Sequence, residues 1–338
     1  MLWGALALGK AVVLIAVYLA RSTPNFLYLM SIRWDASWFL SIAKYGYIQL
    51  DSYAFSPFYP TIINAFAALA APSWVAALAV ANVLSFAVPV VVYRTFGFRA
   101  ALLFELFPTY LFYTTVPYSE ALVLLVLALS VLFALRGKAI ASSVALSLAI
   151  FSSYTMVWTL PSYAIAFARR LGRKTLVFYV LPLVTGLLIF SWFEASSRSY
   201  WIYFTVERMN WHVTLATPWN QALWLIARRI GDLWPLPGSW ETRNLPFEAF
   251  YIYGAARLIR MRERDSIFLG VFSFSVILPL FFIIGGPAES IPRLLMPAFP
   301  VFVYFATKIR GRYVWAYAAV CLALTVWIAT FQTLNFFA

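Results

Sequence analysis

Apolar stretches long enough to cross a bilayer recur from the first residues of this chain to the last, and the arginines fall in tight clusters between them. A hydrocarbon layer of ~30 Å needs about 20 apolar residues in a helix. Read between polar breaks, the sequence predicts eleven spans, near 2–20, 74–93, 100–116, 120–135, 139–153, 155–168, 175–193, 247–259, 266–284, 292–308 and 313–334. No backbone polar group can be left unpaired in lipid, and no alternating barrel pattern is present, so the spans must be helices. The chain is 64% hydrophobic with a mean hydropathy of +0.84, well above the roughly half apolar content of soluble domains. An all-α, polytopic membrane protein is the only class that fits, organised as one transmembrane domain over residues 1–338. The two segments around 139–168 are short and broken by Ser152, Ser153 and Pro161, as half-helices would be. Pro57 to Ala71 is read as a helix that lies in or dips into the membrane, since a full crossing would scatter the arginine clusters. The first span has no small-residue cleavage site before Arg21 and reads as a retained helix.

The formal charge is +13. With the N-terminus inside, fifteen basic residues fall on the cytoplasmic side, in groups around Arg94, Arg136, Arg169, Arg260 and Arg310, against nine outside. Lys10 lies inside the first span. The charge is therefore topological, and nucleic acid is not expected as a partner. The acids run the other way, with only Glu263 and Asp265 inside. Carboxylates, aromatics and two long loops, 21–73 and 194–246, meet on the outer face, where amphipathic interfacial helices are expected in both loops. A single cysteine, Cys321, and a single histidine, His212, argue against a disulfide framework and a metal site. No phosphate-cradling glycine loop is present, which argues against a nucleotide substrate.

Four stretches carry candidate chemistry. In "SIRWDASWFLSIAKYGY", Asp35 stands between Trp34 and Trp38, followed by Lys44 and Tyr47, with Asp51 and Tyr59 further on. An acid in that low-dielectric rim makes a usable base, and the rings offer flat faces to a sugar. The alternative is an interfacial helix whose Asp35 faces water. In "LFPTYLFYTTVPYSEALVLL", Glu120 opens a helix after Tyr118, and Glu105 lies inside a span. Glu120 suits a helix N-terminus; Glu105 is either functional or paired with a basic residue of another helix. In "GGPAESIPRLLMPAFPVF", Arg293 is a guanidinium at the outer headgroup level, suited to phosphate or to snorkelling, and Pro292, Pro297 and Pro300 should distort its helix. In the second loop, His212 sits among Trp201, Trp211, Trp219 and Trp224, with a structural role as its alternative.

In this order the stretches "RWDASWFLSIAKYGY", "AFSPFYP", "FPTYLFYTTVPYSEAL" and "RLLMPAFPVF" resemble the second mannosyltransferase of glycosylphosphatidylinositol synthesis (the PIG-V type) and its prokaryotic relatives. That resemblance implies a GT-C glycosyltransferase fold, a dolichyl- or polyprenyl-phosphate mannose donor, inversion at the sugar carbon and no cofactor. It puts the general base on Asp35 and, less directly, the donor phosphate on Arg293, with Lys44 and Tyr118 as further donor contacts. Trp34, Trp38, Tyr47, Asp51, Tyr59, Glu120 and His212 would line or support the substrate. The acceptor would be a lipid or glycan on the non-cytoplasmic face of a prokaryotic cell membrane, or of the endoplasmic reticulum in a eukaryote. The usual Arg-Ser-Asn-Gly element of that family is replaced here by "FSSYTMVWT", Phe151 to Thr159, so the acceptor, or the way the donor is held, should differ. A transporter or flippase of lipid-linked sugars is the competing class; the absence of a visible internal repeat counts against it.

Overall fold

The computed structural model describes residues 2–69, 71–171, 175–215, 217, 219, 240–284 and 290–335. The chain divides into two compact units. The first takes in Met1–Ile48, Phe55–Tyr154 and Phe302–Ala338, and the second Gln49–Ala54 and Thr155–Val301.

The first unit opens with α1 (Leu2–Arg21). Leu6, Gly9, Lys10, Val13, Ala16 and Val17 are buried at helical spacing, whereas Trp3, Leu8, Ile15 and Leu19 stay exposed. A helix this apolar on its exposed side as well is built to face lipid. Three short helices follow: α2 (Phe26–Ser31), α3 (Asp35–Tyr45) and α4 (Phe58–Ala67). α3 buries Ala36, Phe39 and Ile42 and leaves Lys44 and Tyr45 outside, so it is amphipathic. At ten residues, α4 is only about 15 Å long, too short to cross the membrane.

α5 (Ser73–Phe96) is a full-length apolar helix. The span expected over 100–116 is instead two pieces, α6 (Phe98–Glu105) and α7 (Pro108–Tyr113). Pro108 causes the break: it forces the preceding Phe107 into an extended conformation, φ −67° and ψ 135°, and itself opens the next helix. α8 (Glu120–Leu135) and α9 (Ala139–Ser152) form a close antiparallel pair. Small residues permit the approach, and the hydroxyls of Ser130 and Ser142 each donate to the other's carbonyl at 2.8 Å.

The unit closes with α16 (Val301–Lys308, whose first residue belongs to the second unit) and α17 (Arg312–Asn335). α17 runs parallel to α1, and Arg21 Nη2 at the end of one donates to Thr333 O near the end of the other at 2.8 Å. At the opposite end Arg99 Nη1 donates to Ala306 O at 3.0 Å, so Arg94, Arg99, Lys308 and Arg312 gather at one end.

In the second unit, Tyr154–Ser162 is a 3₁₀ segment containing Pro161, followed by α10 (Tyr163–Leu171) and α11 (Thr175–Ser197). The amphipathic α12 (Ile202–Asn210) buries Ile202 and Val206. Beyond it β1 (Thr214–Leu215) pairs antiparallel with β2 (Ile283–Ile284). α13 (Trp240–Arg260) and α14 (Arg264–Ile277) form a hairpin, and α15 (Ile291–Leu294) precedes α16. Gly270 permits the α13–α14 approach, because a Cβ there would fall 2.9 Å from Ala255 O. Tyr163, Phe167, Phe178, Phe268 and Phe272 make an aromatic core, with Tyr163 and Phe178 stacked at 4.7 Å between centroids.

Four described helices are long and apolar enough to cross a membrane: α1, α5, α11 and α17. The eleven expected spans are not matched one for one. The 292–308 segment breaks into α15, a 3₁₀ turn at Met296–Ala298 and α16, as its prolines require. The 266–284 segment leaves the helix at Ile277, just before Pro279. Residues 220–239 of the second loop, with Trp224, and 285–289 lie outside the described residues.

Candidate active site

Asp35 is the first residue of α3, where the helix dipole favours a negative charge. It is half-buried. The residue before it, Trp34, holds φ 49° and ψ −134°, a conformation that bulky side chains rarely take. Its carbonyl is fixed from two sides, accepting from Ser37 N at 2.9 Å and Ser37 Oγ at 2.6 Å. A strained residue held by its neighbours directly before a half-buried acid is the kind of arrangement that accompanies function.

Around Asp35 the expected aromatics form a continuous layer. Trp38 stacks on Phe55 at 5.8 Å, Phe39 meets Phe55 edge-on at 5.3 Å, and Phe39 meets Tyr59 at 5.0 Å. Tyr59 is fully buried, donates to Ala77 O at 3.3 Å and lies within electrostatic reach of Glu120. Glu120 begins α8, half-buried, directly after the turn that carries Tyr118. Tyr118 is buried against Tyr113, 6.2 Å between centroids, and the Tyr113 hydroxyl accepts from Gln332 Nε2 at 3.1 Å. The packing thus links the Asp35 helix, through Phe39, to Tyr59, which lies within electrostatic reach of Glu120.

Other expected residues take different places. Lys44 is at the far end of α3, about 14 Å from Asp35 along the axis, exposed and lying 4.8 Å from the Tyr45 ring. The hydrogen bond from Lys44 to the Tyr45 hydroxyl raises its pKa above the ordinary lysine value. Tyr47 closes its own loop by donating to Phe55 O at 2.8 Å. In the second unit, the Asp51 carboxylate accepts a hydrogen bond from Asn210 Nδ2 at the end of α12, and neighbouring Tyr53 packs on Trp192 and Phe193. That partnership makes Asp51 a clasp on α12. His212 is exposed with a left-handed φ of 53°. Arg293 is half-buried in α15, which packs against α13. Among the described residues no three of His, Cys, Asp and Glu come together to hold a metal ion.

Two buried groups stand out beyond those. Glu105 is fully buried, and among the described residues neither carboxyl oxygen meets a hydrogen-bond partner and no basic side chain on another helix pairs with it. Lys10 is the reverse case: its Nζ donates to Thr114 O at 2.7 Å and Asn82 Oδ1 at 2.9 Å, with Thr115 Oγ1 at 3.3 Å. Its sequence signal was plain, a lysine halfway along an apolar helix.

Comparison with known proteins bears on residues 5–96, which match the family model of the mannosyltransferase (PIG-V). Seven of the eleven expected site residues, Asp35 among them, fall in that stretch. Among solved structures the chain is similar to ArnT from Cupriavidus metallidurans in the apo state, with TM-score 0.54 and 16% identity over 94% of this chain and 62% of that one. ArnT bound to undecaprenyl phosphate gives TM-score 0.51 and 17% identity over 95% and 63%. The Archaeoglobus fulgidus oligosaccharyltransferase gives 0.51 and 12% over 99% and 56%. The fold is that of the GT-C glycosyltransferases. The chain spans less than two thirds of the length of each of these GT-C structures. No protein of curated function matches it in sequence.

Proposed function

We propose that the chain is a membrane glycosyltransferase that moves a hexose, mannose in the first instance, from a polyprenyl- or dolichyl-phosphate donor to a lipid or glycan acceptor on the non-cytoplasmic face. The observation that carries this reading is the mannosyltransferase match over residues 5–96, which takes in Asp35. A fold similar to a structure bound to undecaprenyl phosphate supports a polyprenyl donor.

The acceptor hydroxyl attacks the anomeric carbon from the face opposite the leaving phosphate, which inverts the sugar, and Asp35 takes its proton. Where the glycosidases use two carboxylates, one suffices here, because the departing polyprenyl phosphate, a monoester, needs charge stabilisation and no proton. A guanidinium suits that task, and Arg293 is the candidate. Trp34 and Trp38 offer their ring faces to a sugar, and Tyr118 and Glu120 supply polar contacts at the head of α8. Lys44, at the other end of α3, is a candidate for an incoming headgroup and lies far from the proton transfer.

The test is sugar transfer from radiolabelled polyprenyl-phosphate mannose by the purified protein, with a membrane lipid extract as acceptor, alongside Asp35→Asn. The substitution keeps the side chain's shape and is expected to lower transfer by roughly 10²- to 10⁴-fold with donor binding intact. Transfer that survives it would take the base role from Asp35 and give it to Glu120. A parent protein inactive with mannose and other hexose donors would defeat the reading and direct attention to lipid-linked sugar transport.

A further inference from the structure

The α7–α8 turn ends well short of the helices around it. Lys10 is eleven residues before the end of α1 at Arg21, and Asn82 is nine residues after the start of α5 at Ser73. At 1.5 Å per residue, both helices run on about 13–16 Å past the level at which they hold the turn. The turn is also sealed: Thr114, Thr115, Val116 and Tyr118 are all buried. Irregular backbone at such depth is tolerated only where protein groups satisfy it.

Those groups are Lys10 and Asn82. α7 ends at Tyr113, so the carbonyls of Thr114 and Thr115 have no following helical turn to bond them. Lys10 Nζ donates to Thr114 O at 2.7 Å, and Asn82 Nδ2 donates to Thr115 O at 3.1 Å. The two side chains are tied to each other through Asn82 Oδ1, 2.9 Å from Nζ. Asn82 Nδ2 is also anchored on Leu78 O at 2.9 Å. The two short bonds from Nζ need two N–H groups, which an amine has in either protonation state. Two helices and a turn from distant parts of the sequence therefore meet at one nitrogen, bonded to Thr114, four residues before Tyr118 and six before Glu120.

We propose that Lys10 is a positioning residue: through Thr114 and Asn82 it fixes the depth of the α7–α8 turn and so places Tyr118 and Glu120. The effect on the reaction rests on the glycosyltransferase reading; the effect on the turn does not. A structural lysine would stabilise the bundle as a whole. A positioning lysine acts on one segment.

The experiment places a nitroxide on Ser119→Cys, in a Cys321→Ala background in lipid nanodiscs, with a second label on Lys138→Cys at the other end of α8 as control. Lys10→Met is expected to make the spectrum at 119 markedly more mobile and leave that at 138 unchanged. Lys10→Gln, which keeps an N–H donor, should fall between parent and Lys10→Met, and it carries the test if Lys10→Met does not fold. Without labels, transfer is expected to fall about 10- to 100-fold in Lys10→Met, the scale of a small displacement of substrate contacts, and less in Lys10→Gln. An unchanged spectrum at 119, or equal mobilisation at 119 and 138, would overturn the proposal. The spectra need no sugar donor, so an inactive parent would defeat the glycosyltransferase reading alone.

Discussion

Lys10 and Glu105 are both ionisable, both buried and both inside the first unit, yet the chain treats them in opposite ways. Around Lys10 two segments, α5 and the α7–α8 turn, supply oxygen acceptors at hydrogen-bond distance. Glu105 has no such set: among the described residues both of its carboxyl oxygens lack a protein partner. Burial of a polar group is therefore a poor guide to its role in such a protein. The satisfied group ties elements together, and its loss exposes others to an apolar medium without partners. The unsatisfied group opposes folding, and its persistence calls for a reason other than stability.

The largest expected effect lies on the satisfied side. Asn82→Leu removes the acceptor of Lys10 and the donor to Thr115 O and Leu78 O at one stroke. With about 1–3 kcal/mol for each buried group left unpaired, the loss should reach about 2–5 kcal/mol, read as a fall in the thermal midpoint of the purified protein. A variant as stable as the parent would break the comparison, because the Lys10 cluster would then be worth no more than the Glu105 site. Next comes Glu105→Leu, with the opposite sign: a gain of about 1–3 kcal/mol if the carboxyl has no partner. A loss of stability there would mean that internal water satisfies Glu105, and the contrast would shrink to one between direct and bridged bonds.

The contrast also marks how far the sequence can be read. Helices α1, α5, α11 and α17 follow from the length of their apolar runs alone, and the amphipathic α3 and α12 from aromatics beside polar residues. The broken segments were less legible, because one proline divides what hydropathy reads as a single span. Pro108 does this to 100–116, and Pro297 and Pro300 to 292–308. At the candidate site, Asp35 and its tryptophans were visible as a local pattern, while the strain at Trp34 was not. The partners of Asp51 and Lys10 had no local signal. Asn210 is 159 residues from Asp51, and Thr114 is 104 from Lys10. Polar side chains marked where something happens in the spans; only the packing distinguishes a clasp such as Asp51 from a reactive group.

The finest test uses two threonines six residues apart, with the same side chain and almost no exposure. Thr115 donates from Oγ1 to Leu111 O at 2.6 Å and stands 3.3 Å from Lys10 Nζ; among the described residues Thr109 Oγ1 has no protein partner. Exchange for valine keeps the volume and removes only the hydroxyl. Thr115→Val should therefore cost about 0.5–1.5 kcal/mol, the net worth of one buried hydrogen bond. Thr109→Val should be neutral or stabilising by up to about 1 kcal/mol, since it removes a polar atom that nothing satisfies. Thermal midpoints of the two variants, measured side by side, report the difference in sign with the change in chemistry held fixed. Equal destabilisation would mean that Thr109 and the neighbouring end of α6 at Glu105 share a satisfied polar network. The α6–α7 break would then be a second clamp on the same helix pair and no longer the counterexample to Lys10.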